Sequence, residues 1–204
     1  MRHFASVRTA CLLAALTPWG AGMAQGTGFS PGPMAAPGTG EAFREGPADL
    51  ALPLQPGQTA ADIQGIGADG ATLRLSQFKG KVILLDVSAM WCIYCKMDAP
   101  AVQYLFQTYG PKGLAVVTCL AEDTNGAVVT QSGLRQWVSQ YHLTQNVMND
   151  TSGTSGGVAE RAYVGVTGGF PTLVVIDKNF KVQYLQGGLD LAALTAKIKA
   201  LLAE

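Results

Sequence analysis

Val82-Ile83-Leu84-Leu85-Asp86-Val87, followed at once by Ser88-Ala89-Met90-Trp91-Cys92-Ile93-Tyr94-Cys95-Lys96, decides the reading of this chain. The first run is apolar and of strand length, and the two cysteines open the segment after it as a helix. A helix N-terminus presents unpaired N–H groups and a partial positive charge. Both favour a thiolate, so Cys92 is expected to titrate below the ~8.5 of a free thiol and to act as a nucleophile. Cys95 lies one helical turn on, where it can attack a mixed disulfide formed by Cys92. Strand, Cys-x-x-Cys and helix together read as a dithiol–disulfide exchange site. Half of a zinc site is the alternative, and it requires two further ligands. The sequence has no second Cys-x-x-Cys, and its only histidines are His3 and His142.

Asp86 stands inside the apolar run and is expected to be buried. Burial raises a carboxyl pKa, and such a group can exchange a proton with Cys95 as that thiol attacks or leaves. Trp91 is expected to shield the thiolate and to form a docking surface with Ile93 and Tyr94. Cys119 falls in a second apolar run and reads as a buried structural thiol. His142 and Lys96 read as surface residues.

The chain has 204 residues and equal numbers of basic and acidic side chains. Its first 24 residues look like an address. Arg2 and Arg8 make a positive start, Ala10 to Leu16 a short apolar stretch, and Gly22-Met23-Ala24 a cleavage site before Gln25. Pro18, Gly20 and Gly22 argue against a spanning helix there. Removing the segment takes two arginines and no acid, which leaves a net charge of about −2. That charge offers no footprint for nucleic acid or an acidic membrane. Cys92, Cys95 and Cys119 remain, too few for a disulfide scaffold. Residues 25–56 are rich in Gly, Pro and Ala and read as a flexible linker. The folded domain is expected over residues 57–204, in a periplasmic or otherwise extracytoplasmic compartment.

Within the domain, Ala68-Asp69-Gly70 between two short alternating runs signals a hairpin. A strand over 82–87 and a helix from about 93 to 108 containing Pro100 follow. Leu114 to Leu120 reads as a strand, and Leu134, Trp137, Val138 and Tyr141 have helical spacing. Val147-Met148 reads as a short strand. Residues 150–157 read as a loop, and about 158–163 as a short helix. Residues 172–177 and 181–185 form a hairpin, and Leu189 to Leu202 a closing amphipathic helix. This order gives one α/β domain with a mixed sheet.

These motifs resemble the thioredoxin-fold proteins of the exported TlpA-like group, within the alkyl hydroperoxide reductase/thiol-specific antioxidant superfamily. The resemblance runs from about Gly57 to the C-terminus. It is carried by Leu75-Ser76-Gln77-Phe78-Lys79-Gly80-Lys81-Val82, by Gly169-Phe170-Pro171-Thr172, and by Trp91-Cys92 through Ala99-Pro100. Asp86 matches the buried aspartate of thioredoxin. The resemblance implies a thioredoxin fold, with a central mixed β-sheet flanked by helices, an N-terminal β-hairpin and a central insertion. It implies a cis Pro171 after Phe170, facing the cysteines and binding an extended substrate segment. The sequence departs from the group in four places. Ile93-Tyr94 replaces a proline-containing pair, and Gly57 to Asp62 lacks a proline. Ser88 replaces an aromatic, and 151–157 is lengthened.

The expected function is a thiol–disulfide oxidoreductase with no cofactor beyond a redox-active Cys92–Cys95 pair. It reduces a disulfide-containing substrate protein, takes electrons from a membrane donor and works as a monomer. Cytochrome c maturation or disulfide repair are typical tasks of the group. Two rivals are weighed. A peroxiredoxin-type peroxidase calls for Thr-x-x-Cys at the reactive helix, whereas Ser88 stands four residues before Cys92. A copper carrier calls for a further histidine or methionine beside the thiols.

Overall fold

The structure, a computed structural model, describes residues 53–150 and 157–204. The expected signal segment, most of the expected linker and nearly all of the 151–157 insertion lie outside the described residues. Packing extends to Leu54, inside the expected linker. Leu54 is fully buried, and its N–H donates to the Ala162 carbonyl at 3.0 Å. A single apolar residue between Pro53 and Pro56 has no periodicity to reveal it.

The described chain opens with an antiparallel hairpin, β1 (Gln64–Ile66) and β2 (Thr72–Arg74). A 3-10 turn, Leu75–Phe78, leads to β3 (Val82–Ala89) and α1 (Ile93–Tyr109). Next come β4 (Leu114–Glu122), α2 (Gln131–Tyr141) and β5 (Asn146–Asn149). A π-helical turn, Glu160–Val164, runs on into Gly165–Thr167; together they are called α3. The chain ends with β6 (Thr172–Ile176), β7 (Val182–Gly187) and α4 (Leu191–Leu202).

Five strands form a sheet in the order β5-β4-β3-β6-β7. β3, β4 and β5 run parallel, β6 is antiparallel to β3, and β7 is antiparallel to β6. β3 is therefore central and buried along its whole length, which is why it reads as an unbroken apolar run. Its alternate residues face opposite sides. Val82 and Leu84 pack with Val102 and Leu105 of α1 and with Leu194 and Ile198 of α4. Ile83, Leu85 and Val87 pack on the other face with Ala162 and Tyr163 of α3 and with Ile63.

The caps follow the sequence. Thr130 Oγ1 accepts the Gly133 N–H at 3.2 Å to start α2, and Asp190 Oδ1 accepts the Ala193 N–H at 3.0 Å to start α4. The hairpin is pinned against β5. Ile66 N–H donates to Asn149 Oδ1 at 2.8 Å, and Ala68 N–H to the Val147 carbonyl at 3.0 Å. Gly65 is required there, because a Cβ at this position would run into the Asn149 carbonyl.

Candidate redox site

β3 ends at Ala89, and Met90-Trp91 carry the chain to Cys92, the N-cap of α1. Met90 N–H donates to the Glu122 carbonyl at 2.8 Å, which ties this turn to the end of β4. Cys92 has the extended backbone of an N-cap. Its Sγ takes the place of a capping oxygen and accepts the Cys95 N–H at 3.1 Å. The two Cα atoms are 5.3 Å apart and the sulfurs are joined as a disulfide. An N–H aimed at Sγ, together with the positive end of a 17-residue helix, stabilises negative charge on that sulfur once the disulfide opens.

Cys92 is only 4% exposed, against 2% for Cys95. Both belong to an apolar cluster at the carboxyl end of β3 with Ala89, Ala99, Leu120 and Trp137, and Phe170 packs against it. Around them stand Trp91, Ile93, Tyr94 and Met97, each between 49% and 67% exposed. An exposed collar of large apolar side chains over a nearly buried disulfide is a surface suited to a protein partner.

The Trp91 indole N–H donates to Glu122 Oε2 at 2.6 Å, and its ring meets Phe170 edge-on with centroids 5.8 Å apart. Phe170 precedes Pro171 across a cis peptide bond, as the resemblance implied. The hydroxyls of Thr167 and Thr172 donate to the Gly169 carbonyl at 3.2 and 2.8 Å, and the Pro171 carbonyl accepts the Gly188 N–H at 2.8 Å. The Phe170–Pro171 turn is thus held from both sides beside the cysteines.

Asp86 is 4% exposed. It lies on the face of β3 that packs on α1, two residues beyond Leu84. Its Oδ1 accepts the Ser88 hydroxyl at 2.6 Å and its Oδ2 the Thr118 hydroxyl at 3.1 Å. Burial drives its pKa up, the two hydroxyls pull it back, and the charge of Asp98 adds a further rise, leaving it at about 6. Asp98 sits one turn beyond Cys95, and its own pKa is raised by burial. An acid poised near neutrality can hold or release a proton at working pH.

Cys119 is fully buried on β4 and unpaired. Burial holds its thiol well above the ordinary range, and the charges of Asp150 and Asp86 push the same way, so it stays an inert thiol. His142 is exposed and closes α2 in a left-handed conformation. Among the described residues, no three His, Cys, Asp or Glu side chains gather as a metal site.

The structure brings Cys92, Cys95 and Phe170 into one cluster, with Trp91 against Phe170, Pro171 next to it, and Ile93 and Tyr94 exposed on the first turn of α1. Asp86 lies on the α1-facing side of β3, held by Ser88 and Thr118. It adds Thr118, Glu122 and Met97, which the sequence reading did not single out, and gives Ser88 a partner. Ser88 was legible in principle, since i and i+2 share a strand face. Thr118 becomes visible only once β4 is known to pair with β3, opposite Asp86. Glu122 lies 31 residues from Trp91 and has no local signal.

A disulfide at a helix N-cap, beside a cis-proline turn on a β5-β4-β3-β6-β7 sheet, defines a thioredoxin-fold protein with a dithiol–disulfide redox centre. The chain belongs to the AhpC/TSA family, whose model matches residues 56–185. It is 31% identical over 127 residues to the thiol-disulfide oxidoreductase ResA of Oceanobacillus iheyensis, covering 62% of this chain and 60% of that protein. The chain thus spans three fifths of that relative's length. It is 29% identical over 135 residues to the thioredoxin-like protein YneN of Bacillus subtilis, covering 66% and 73%. Among solved structures it resembles one named as a thiol:disulfide interchange protein DsbE from Chlorobium tepidum. That likeness has a TM-score of 0.62 at 28% identity and covers 73% of this chain and 99% of that one.

Proposed function

We propose that this chain is an extracytoplasmic thiol–disulfide oxidoreductase that reduces disulfides in other proteins. The observation that carries the reading is Cys92 Sγ at the N-cap of α1, hydrogen-bonded by Cys95 N–H and bonded to Cys95 Sγ beneath an exposed apolar collar. In the reduced protein, Cys92 thiolate attacks one sulfur of a substrate disulfide. A Cys92–substrate bond forms, the substrate S–S bond breaks, and the second substrate sulfur leaves as a thiolate. Asp86 carboxylate then takes the proton of the Cys95 thiol. Cys95 thiolate attacks Cys92 Sγ, and the remaining substrate sulfur departs with its electron pair. The substrate has gained two electrons, and the protein, now Cys92–Cys95 disulfide, has lost two.

A membrane-bound dithiol donor returns the pair to the reduced state. An extended substrate segment lies along Phe170–Pro171, with its side chains on Trp91, Ile93 and Tyr94. The extracytoplasmic setting rests on the charged and apolar pattern of residues 2–24. The protein works as a monomer, and the tasks that fit it are cytochrome c maturation and repair of wrong disulfides.

Turnover tests this reading. With a dithiol reductant, the protein is expected to catalyse insulin disulfide reduction and to show no comparable rate with hydrogen peroxide, and Cys92→Ser is expected to reduce insulin at the background rate. Peroxide turnover outpacing insulin reduction would replace the reading with a peroxidase.

A further inference from the structure

Ser88 sits two residues beyond Asp86 on the same face of the central strand, and it is 1% exposed. Its hydroxyl donates to Asp86 Oδ1 at 2.6 Å. Thr118, the register partner of Asp86 on β4 and also 1% exposed, donates to Oδ2 at 3.1 Å. Each carboxyl oxygen is therefore held by one hydroxyl, and each keeps a second lone pair. All three side chains are buried, so a hydroxyl removed here takes its hydrogen bond to the carboxyl with it. We propose that Ser88 is a positioning residue: its hydroxyl, with that of Thr118, fixes the Asp86 carboxyl by both oxygens and sets the pH at which this acid holds its proton. The tie to thiol chemistry rests on the proton exchange between Asp86 and Cys95 put forward above.

The surroundings leave Ser88 and Thr118 as the groups that favour the carboxylate. On α1, Asp98 opposes a second negative charge. On β4, Cys119 couples to Asp86, and its thiol stays neutral. From β6 the register partner is Leu173, and from α4 the packed residues are Leu194 and Ile198, all apolar. Donation to a charged oxygen favours the ionised form, whereas burial and Asp98 favour the neutral one.

The test is the titration of the Asp86 carboxyl in the full chain, read by NMR of carbon-13-labelled aspartate. It is paired with the pH profile of the resolving step in single-turnover release of a chromogenic thiolate. In Ser88→Ala the Asp86 midpoint is expected to rise by roughly one pH unit, the loss of one charge-assisted hydrogen bond. The rising limb of the resolving rate is expected to move up with it. Ser88→Thr, which carries a hydroxyl on the same Cβ, is expected to bring both back toward the parent values. Ser88→Cys, close in size and a weak donor, is expected to show the same rise and serves where the alanine variant does not fold. A midpoint unchanged in Ser88→Ala, or in Ser88→Cys when that variant is used, overturns the proposal. A midpoint that moves beside a rate profile that stays supports the role of Ser88 and overturns the proton exchange with Cys95 instead.

Discussion

Cys95→Ser is expected to accumulate covalent complexes with its substrate proteins, whereas Cys92→Ser accumulates few. The first attack needs only Cys92, whose sulfur stands at the N-cap of α1 with an N–H donated to it. The second step needs a thiol one turn away, and Cys95 supplies it. With Cys95 gone, the mixed disulfide has no neighbour to break it. Cys119 cannot substitute, because it is fully buried on β4 and burial keeps it a neutral thiol. Insulin turnover is expected to fall to background in both variants, while trapping separates them by about tenfold or more, as the thiolate is the attacking species. The complexes should collapse on adding reductant. Equal trapping by the two variants, or complexes joined through Cys119, would contradict the assignment of Cys92 as attacker. Identifying the trapped proteins by mass spectrometry would also name the substrate.

Asp86→Asn is expected to make the protein more stable at pH 8 and slower at its chemistry. In the folded state the carboxyl titrates at about 6, raised from 3.8 mainly by burial. The folded protein therefore binds the proton more tightly than the unfolded chain does. The contribution of this group to stability falls as pH rises from about 4 through 6, and above 6 the full penalty of a buried charge is present. A shift of this size corresponds to on the order of 2–3 kcal/mol. Asparagine removes the charge, keeps the size and presents its oxygen to one of the two hydroxyls and its amide N–H to the other. Thermal unfolding of the oxidised form should show a higher Tm for Asp86→Asn at pH 8, with the difference vanishing toward pH 4. The same substitution removes the base for the Cys95 proton and should slow the resolving step by roughly 10²-fold. An unchanged insulin-reduction rate across pH 6–9 would make Asp86 a structural acid alone.

The order of elements was legible because each carries its own local signal. β3 reads as an apolar run since it is central and covered on both faces, and Asp69-Gly70 marks the β1–β2 turn. The cysteines are legible from spacing and from their place after β3. What sequence reading missed depends on pairing between distant segments. Thr118 meets Asp86 only through the parallel register of β3 and β4. Glu122 reaches the Trp91 indole because both lie at the carboxyl ends of those strands. The enclosure of Cys92 has no local signal, since it comes from residues such as Leu120, Trp137 and Phe170, which converge only in the folded sheet. Ser88 stood out as a departure, but its partner emerged from the geometry of the strand face.

The central claim, that Cys92 and Cys95 form an exchanging dithiol–disulfide pair, is tested most directly by counting thiols. The reduced protein is mixed with a disulfide-bonded peptide, quenched, denatured, alkylated and mapped by mass spectrometry. The account predicts that Cys92 and Cys95 together lose their label as the peptide gains two thiols, and that Cys119 keeps its own. Retention of label on both active-site cysteines, or loss of it from Cys119, would contradict the account.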